Sequence, residues 1–488
     1  MTIQIPCNVS DTKPHFVLVP LMAQGHMIPM IDIARLLASH GAIVTLITTP
    51  ANAARISTTI DKIERAGLPV NFVPLKFPSA EVGLPEGLEN IDMLPSRDQL
   101  KNFFDAICML RDPLILHLRA YKPLPTCIIS DNIHYWTRDV AKEFNIPRLT
   151  FHGMGCFALL CIKNVRDHEI EAKIIDGNET FVVPGLPMRI EIMRAQVPGF
   201  FSMPSMDKHR EELRATELAS DGVVVNSFDD LETIYHDQYQ SAIGKKVWNI
   251  GPLSLYNGDV VDVTARGNKA SIDEERCLMW LDSMKPSSVV YVSFGSLART
   301  IPSQLIEIGL ALEASNCPFI WVIKAGERFS EVQEWLSEFE KRTRNRGLII
   351  RGWAPQVMIL SHLAVGGFMT HCGWNSTLES ISAGVPMITW PHFAEQFLNE
   401  KMIVEVLKIG ISVGVKIPTI WGMDTDDVSV KKEDVEKAVR SLFEGDEAEK
   451  RRQRAKEFAE KAQKTVEEGG SSYANLTHLV QYIKARTA

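Results

Sequence analysis

The chain has no apolar stretch approaching the roughly twenty residues that cross a bilayer, so a membrane-spanning helix is not expected. It has no basic excess either. Lys and Arg number 52 against 60 Asp and Glu, a net charge of −8, which argues against a nucleic-acid partner. The cluster Lys450-Arg451-Arg452-Gln453-Arg454 has acidic neighbours and reads as a solvated helix face. Eight scattered cysteines show no CxxC pair and no ligand spacing, which disfavours a disulfide framework or zinc module and suits reduced thiols. The first twenty residues contain Asp11 and no basic segment leading an apolar run. A secretory signal is therefore not expected, and a cytoplasmic, monomeric protein is. No GxGxxG follows the first apolar run, which disfavours a nicotinamide oxidoreductase. Short acidic runs such as Asp424-Thr425-Asp426-Asp427 read as solvated loops, with no metal site expected.

At 488 residues the chain is too long for one core. Its 45% hydrophobic and 23% charged residues are those of a soluble globular protein. Short apolar runs alternate with helix-period segments throughout. His15–Pro20 precedes a helical pattern over Ile31–Ser39, and Ile43–Thr48, Thr126–Ser130 and Gly222–Asn226 follow. The second half contributes Val289–Phe294, Phe319–Lys324, Leu348–Arg351, Val365–Thr370, Pro386–Trp390 and Ile411–Val415. Continuous apolar strands between helices predict an α/β chain with parallel sheets covered on both faces, one doubly wound domain in each half. The polar, glycine-containing stretch 251–270 lacks helical period and reads as the linker. The expected division is 1–250, that linker, 271–470 and a last helix over 471–488.

The densest chemistry runs from Trp353 to Gln396, WAPQVMILSHLAVGGFMTHCGWNSTLESISAGVPMITWPHFAEQ. The run Val365–Thr370 breaks at His371-Cys372-Gly373-Trp374-Asn375-Ser376, and a helical pattern starts at Thr377. A strand feeding a glycine turn at a helix N-terminus is an anion site, because open N–H groups and the positive dipole end converge there. His371, Asn375 and Ser376 add side-chain donors. Glu379 lies four residues after Asn375, on the same face one turn deeper, where a carboxylate can accept from a ribose diol. Trp353 offers a flat plate for a base. Together these describe a pocket for uridine diphosphate.

The segment resembles the signature box of plant UDP-sugar-dependent glycosyltransferases of secondary metabolism (family 1), in register over all 44 residues. The N-terminal half matches as well. The resemblance implies a GT-B fold, two Rossmann-like domains facing across a cleft, with the last helix crossing back onto the N-terminal domain. It implies that Trp353 stacks on uracil, that the Ala354 backbone hydrogen-bonds it, and that Gln356 and Glu379 hold the ribose. His371, Gly373, Asn375, Ser376 and Ser296 would hold the diphosphate, and Trp374, Glu395 and Gln396 the sugar. Gln at the last position is typical of glucosyltransferases, where many galactosyltransferases carry His. Two departures are visible: Glu395 replaces a more usual Asp, and Phe151-His152-Gly153-Met154-Gly155 lacks a hydroxyl that relatives often place on the sugar.

Two first-half strands run into residues with acid–base chemistry. One leads to Met22-Ala23-Gln24-Gly25-His26, ahead of a helix expected near Pro29, and the other ends at Ser130-Asp131. If both share a parallel sheet, His26 and Asp131 emerge at one edge, where ligands bind. The carboxylate can then orient one imidazole nitrogen and leave the other as a base. On residue type alone, His134 and His152 compete. The resemblance assigns His26 as general base and Asp131 as its partner. The implied reaction is inverting transfer of glucose from UDP-glucose to a hydrophobic acceptor (a flavonoid or other phenolic, a triterpenoid or a steroid), without metal or further cofactor. Gly25, Glu86, Met154, Phe157, Phe200, Phe201 and Phe393, mostly apolar, are the candidate acceptor residues. The alternatives are another UDP sugar such as galactose or xylose, a nucleotide-sugar epimerase, and a non-catalytic binder. An epimerase has no need of an apolar acceptor cleft, and a binder no need of a His26–Asp131 pair.

Overall fold

The structure is a computed structural model describing residues 13–198, 204–256, 266–298, 300–324, 330–419 and 428–487. Phe200, Phe201, the Asp424–Asp427 run and residues 257–265 of the expected linker lie outside the described residues.

The first half supplies β1 (His15–Val19), β2 (Ile43–Thr48), β3 (Val70–Pro74), β4 (Cys127–Asp131) and β5 (Arg148–His152). A short antiparallel hairpin follows, β6 (Thr180–Val182) and β7 (Glu191–Met193), and then β8 (Gly222–Val225) and β9 (Val247–Asn249). All but the hairpin form one parallel sheet in the order β3-β2-β1-β4-β5-β8-β9. The second half builds a six-stranded parallel sheet from β10 (Val289–Ser293), β11 (Phe319–Ile323), β12 (Gly347–Arg351), β13 (Val365–Thr370), β14 (Met387–Thr389) and β15 (Gly410–Ser412). Its order is β12-β11-β10-β13-β14-β15. HFVLV of β1 is buried along its whole length, as a central strand covered on both faces must be.

In each sheet the strand order reverses once, between β1 and β4 and between β10 and β13. Such a switch point opens a crevice beyond the carboxyl ends of the two strands, because their following helices leave on opposite faces. Val19 pairs with Ser130 and Ser293 with Thr370, so each crevice is flanked by strands ending level.

Three strands of the first sheet, β3, β5 and β9, carry no clear apolar run and are additions to the sequence reading. In β5, Arg148 is buried because its guanidinium donates to Thr137, Thr150 and Ser130 hydroxyls at 2.8–2.9 Å. That burial still pulls its pKa down to about 10.

One apolar core underlies the first sheet and includes Leu476, Leu479 and Ile483 of the last helix, Ser471–Thr487. Trp248 of β9 meets Tyr482 with ring centroids 5.1 Å apart, and Ser472 Oγ donates to the Gly251 carbonyl at 2.6 Å. A second core crosses between the halves, joining Phe157 and Tyr235 to Tyr291, Trp374 and Leu398.

Candidate active site

Between the ends of the two sheets lies a cleft of about 270 Å³. Gly25, His26 and Gly153 line it from the first half. Ser296, Trp353, Ala354, Gln356, His371, Gly373, Trp374, Asn375, Ser376, Glu379, Phe393, Glu395 and Gln396 line it from the second. Three candidate acceptor residues do not. Phe157 is 1% exposed and packs edge-on against Tyr235; Met154 packs on the core that joins the halves; Glu86 is exposed at the surface. Apolar character selected the first two, and core packing uses the same character.

At one end, Cys372 takes a left-handed φ of 63° and turns the chain from β13 into the helix Trp374–Ser382. Asn399 holds the turn by donating to the Cys372 carbonyl at 2.8 Å. Gly373 is the N-cap and no side chain caps this helix, so its first N–H groups remain for a ligand on the cleft side. The His371 ring is sandwiched between two glycines. A Cβ at Gly295 would lie 2.6 Å from the imidazole, and one at Gly373 2.4 Å, so any side chain at either position would displace it. Burial, assisted by the charges of His392 and Lys324, pushes the His371 pKa down to about 3. The ring is neutral at pH 7 and offers a single N–H donor.

Deeper in the cleft, Gln356 organises the carboxylate of Glu379. Its Nε2 donates to Glu379 Oε2 at 2.7 Å and to Ser376 Oγ at 2.9 Å, while its Oε1 accepts from Tyr291 at 3.2 Å. The other Glu379 oxygen is taken by Arg266, which also pairs with Asp32 of the first half. Arg266 belongs to the stretch read as a linker, and no pattern in that stretch marks it. Trp353 is held at Ser271 by two bonds: its N–H donates to Ser271 Oγ at 2.9 Å, and its carbonyl accepts from the Ser271 N–H at 2.8 Å.

Trp374 lines the cleft and also joins the two halves. Its indole is 2% exposed and its Nε1 donates to the Asn226 carbonyl of the first half at 2.7 Å, so the side chain bridges the halves. A Cβ on Gly155 would lie 2.6 Å from this ring, which is why glycine faces it. Only the Trp374 backbone is left to meet a sugar. Gln396 Oε1 accepts from His392 N (2.8 Å) and Phe393 N (3.2 Å), leaving its amide donors for a ligand. Burial raises the pKa of Glu395.

His26 lies in the first turn of the helix Gln24–Ser39, which begins earlier than Pro29 suggested. Its Nδ1 is 2.5 Å from Asp131 Oδ2, and Asp131 is fully buried at the end of β4. Burial by itself would lower the His26 pKa, but the charge and hydrogen bond of Asp131, with the charge of Glu395, raise it overall. The same pairing lowers the Asp131 pKa against the opposing effect of burial. Pro29 has no N–H, so the Gly25 carbonyl loses its intrahelical partner. Asn375 of the second half fills that gap, its Nδ2 donating to Gly25 O at 2.6 Å. The rival imidazoles His134 and His152 are buried at 0% and 2% exposure, away from the cleft lining.

Residues 15–255 match a family model described as glycosyltransferase, N-terminal domain, and residues 270–445 one described as UDP-glucoronosyl and UDP-glucosyl transferase. UDP-glycosyltransferase 73C6 of Arabidopsis thaliana is 50% identical over 475 residues, 96% of each chain. The crystal structure of Glycyrrhiza uralensis UGT73P12 superimposes with a TM-score of 0.90 at 38% identity, covering 97% of this chain and 96% of that one. Arabidopsis thaliana UGT89C1 does so with a TM-score of 0.75 at 29% identity, over 97% and 100%. With half of its residues shared along nearly the full length of a relative, and two facing parallel-sheet domains of the GT-B type, the chain belongs to the plant family 1 UDP-glycosyltransferases.

Proposed function

We propose that the protein is an inverting O-glucosyltransferase that moves glucose from UDP-glucose to a hydroxyl of a hydrophobic small molecule, acting in the cytosol as a monomer. Residues 1–250 would hold the acceptor and 271–470 the donor. One observation carries the reading: His26, gripped through Nδ1 by Asp131, lines the same cleft as the uncapped helix terminus at Gly373–Ser376. A base and an anion site on opposite walls are what a displacement at a sugar carbon requires.

In the reaction, His26 Nε2 takes the proton of the acceptor hydroxyl as its oxygen attacks the anomeric carbon from the side opposite UDP. The bond from that carbon to the diphosphate breaks, and the electron pair leaves with the phosphate oxygen. The growing charge meets the N–H groups of the Trp374–Ser382 helix and the neutral His371 ring. No step calls for a metal. The raised pKa makes His26 a stronger base, and general-base help is worth roughly a hundred- to ten-thousand-fold. A phenol, with a pKa of about 10, asks less of that base than an aliphatic alcohol.

Glucose as the sugar rests on Glu395 and on the open amide donors of Gln396. A hydrophobic acceptor agrees with what its relatives have been crystallised with: glycyrrhetinic acid 3-O-monoglucuronide for the Glycyrrhiza protein and quercetin for UGT89C1. The test is incubation with UDP-glucose and a panel of phenolic and triterpenoid acceptors, with mass detection. Added hexose on an acceptor is expected; epimerised free nucleotide, or binding without product, would sink the reading. His26→Ala should abolish transfer while UDP affinity persists, and near-normal turnover in that variant would refute the base.

A further inference from the structure

Resting on the cleft as a uridine diphosphate site, we propose that the segment Arg266–Asn268 is part of donor recognition. In it, Arg266 is a positioning residue that presents the Glu379 carboxylate to a ribose diol and ties it to the helix bearing His26. Arg266, Asp32 and Glu379 are all nearly buried, with side chains 10%, 5% and 10% exposed. Arg266 Nε and Nη2 both donate to Asp32 Oδ2, at 3.1 and 2.5 Å, and its Nη1 donates to Glu379 Oε1. Asp32 sits on the Gln24–Ser39 helix with His26, and Glu379 on the helix whose N-terminus faces the cleft. One guanidinium thus pairs with two nearly buried carboxylates from opposite halves and ties them together. The planar guanidinium holds both groups through separate N–H bonds in fixed directions, whereas a lysine ammonium is a point charge that does not fix the carboxylate plane.

The bonds already made at Glu379 show what remains for a ligand. Each carboxylate oxygen has about two acceptor directions. Arg266 uses one on Oε1 and Gln356 uses one on Oε2, leaving one on each oxygen. Two adjacent acceptors held in a fixed plane match two vicinal hydroxyls. Arg266 therefore supports ribose binding instead of blocking it.

The rest of the segment is equally committed. Gly267 has φ 89°, and a Cβ there would lie 2.4 Å from the Trp353 ring and 3.0 Å from Ile28, so its bare backbone backs the aromatic plate. Asn268 Oδ1 accepts from Gln24 Nε2 at 2.9 Å and from Arg55 Nε at 3.2 Å, which pins the segment to the first half.

Calorimetric titration of UDP and of 2′-deoxy-UDP against wild type, Arg266→Met, Arg266→Lys and Gly267→Ala tests this, with thermal melts to show each variant folded. Wild type should prefer UDP by about ten- to a hundredfold, the worth of a hydrogen bond to a charged group. In Arg266→Met that preference should shrink to about threefold or less as the carboxylate loses its orientation. Gly267→Ala should weaken both nucleotides equally, because it acts on the plate. An unchanged preference in Arg266→Met, with both nucleotides weakened alike, would reduce Arg266 to a tie between domains and overturn the proposal. Tighter UDP binding in that variant would overturn it too, by showing competition with ribose. Should Arg266→Met not fold, the same ratio in Arg266→Lys decides. Failure of wild type to bind UDP would instead overturn the donor-site reading beneath it.

Discussion

Asp131→Asn removes one charge from the proposed reacting centre and changes almost nothing in shape. Asp131 is fully buried, with Oδ2 2.5 Å from His26 Nδ1 and Oδ1 accepting from the Ile133 N–H at 3.3 Å. An asparagine that keeps its oxygen toward Ile133 must present its NH₂ to the imidazole. Nδ1 then becomes the acceptor, the ring proton moves to Nε2, and the nitrogen facing the acceptor substrate can no longer take a proton. The charge-assisted bond alone is worth about 1.5–3 kcal/mol, or roughly ten- to 150-fold in rate. Loss of the correct tautomer extends this toward the whole general-base contribution, about ten-thousand-fold. The expected result is a kcat lower by about a hundred- to ten-thousand-fold, with UDP affinity unchanged because the residues proposed to contact the nucleotide lie in the other half. Initial rates at saturating UDP-sugar, with UDP titration alongside, measure both quantities. A kcat within about threefold of wild type, or a loss confined to KM, would refute the orienting role.

The pH profile follows from the same pair. With the neutral His26 ring as the proposed base and its pKa raised above the ordinary 6.5, kcat/KM should rise with pH through a midpoint above 6.5. In Asp131→Asn that midpoint should move down, and an unmoved one would detach the limb from His26. Trp374→Phe deletes the indole donor and leaves the Asn226 carbonyl unpaired between the halves, so urea denaturation should show a loss of about 1–3 kcal/mol. An unaltered unfolding midpoint would speak against the bridge. Pro29→Ala restores the N–H that the Gly25 carbonyl lacks, making the Asn375 bond redundant. In a double-mutant cycle, Asn375→Ala should cost about 0.5–1.5 kcal/mol less in the Pro29→Ala background, and strict additivity would contradict the capping argument.

Much of the cleft was legible because its chemistry is local in sequence. His371 through Glu379 are consecutive around one turn and one helix, so the anion site and the carboxylate can be placed from spacing alone. For the candidate acceptor residues, residue type alone does not separate cleft lining from core or surface. Phe157 and Met154 are apolar for the sake of the core, Glu86 is a surface side chain, and only Gly25 and Phe393 of the candidates described reach the cleft. Strand β5 has no signature in the sequence because Arg148 and Thr150 look like surface residues, and only their hydrogen bonding makes them interior. The Gln24–Ser39 helix starts ahead of Pro29, a residue that ordinarily opens a helix; here its missing hydrogen bond is repaired from the opposite domain.

By itself, the sequence determined the two parallel sheets, the strand-to-helix turn at Cys372–Gly373 and which groups are proposed to hold a nucleotide. Those features follow from hydrophobic period, glycine placement and backbone dipoles within short spans of chain. Which imidazole meets Asp131, which way the Trp374 indole turns, and which cation answers Glu379 were decided only in three dimensions. Each is a contact between residues more than a hundred positions apart, and no local pattern encodes a partner that only packing and charge balance can select.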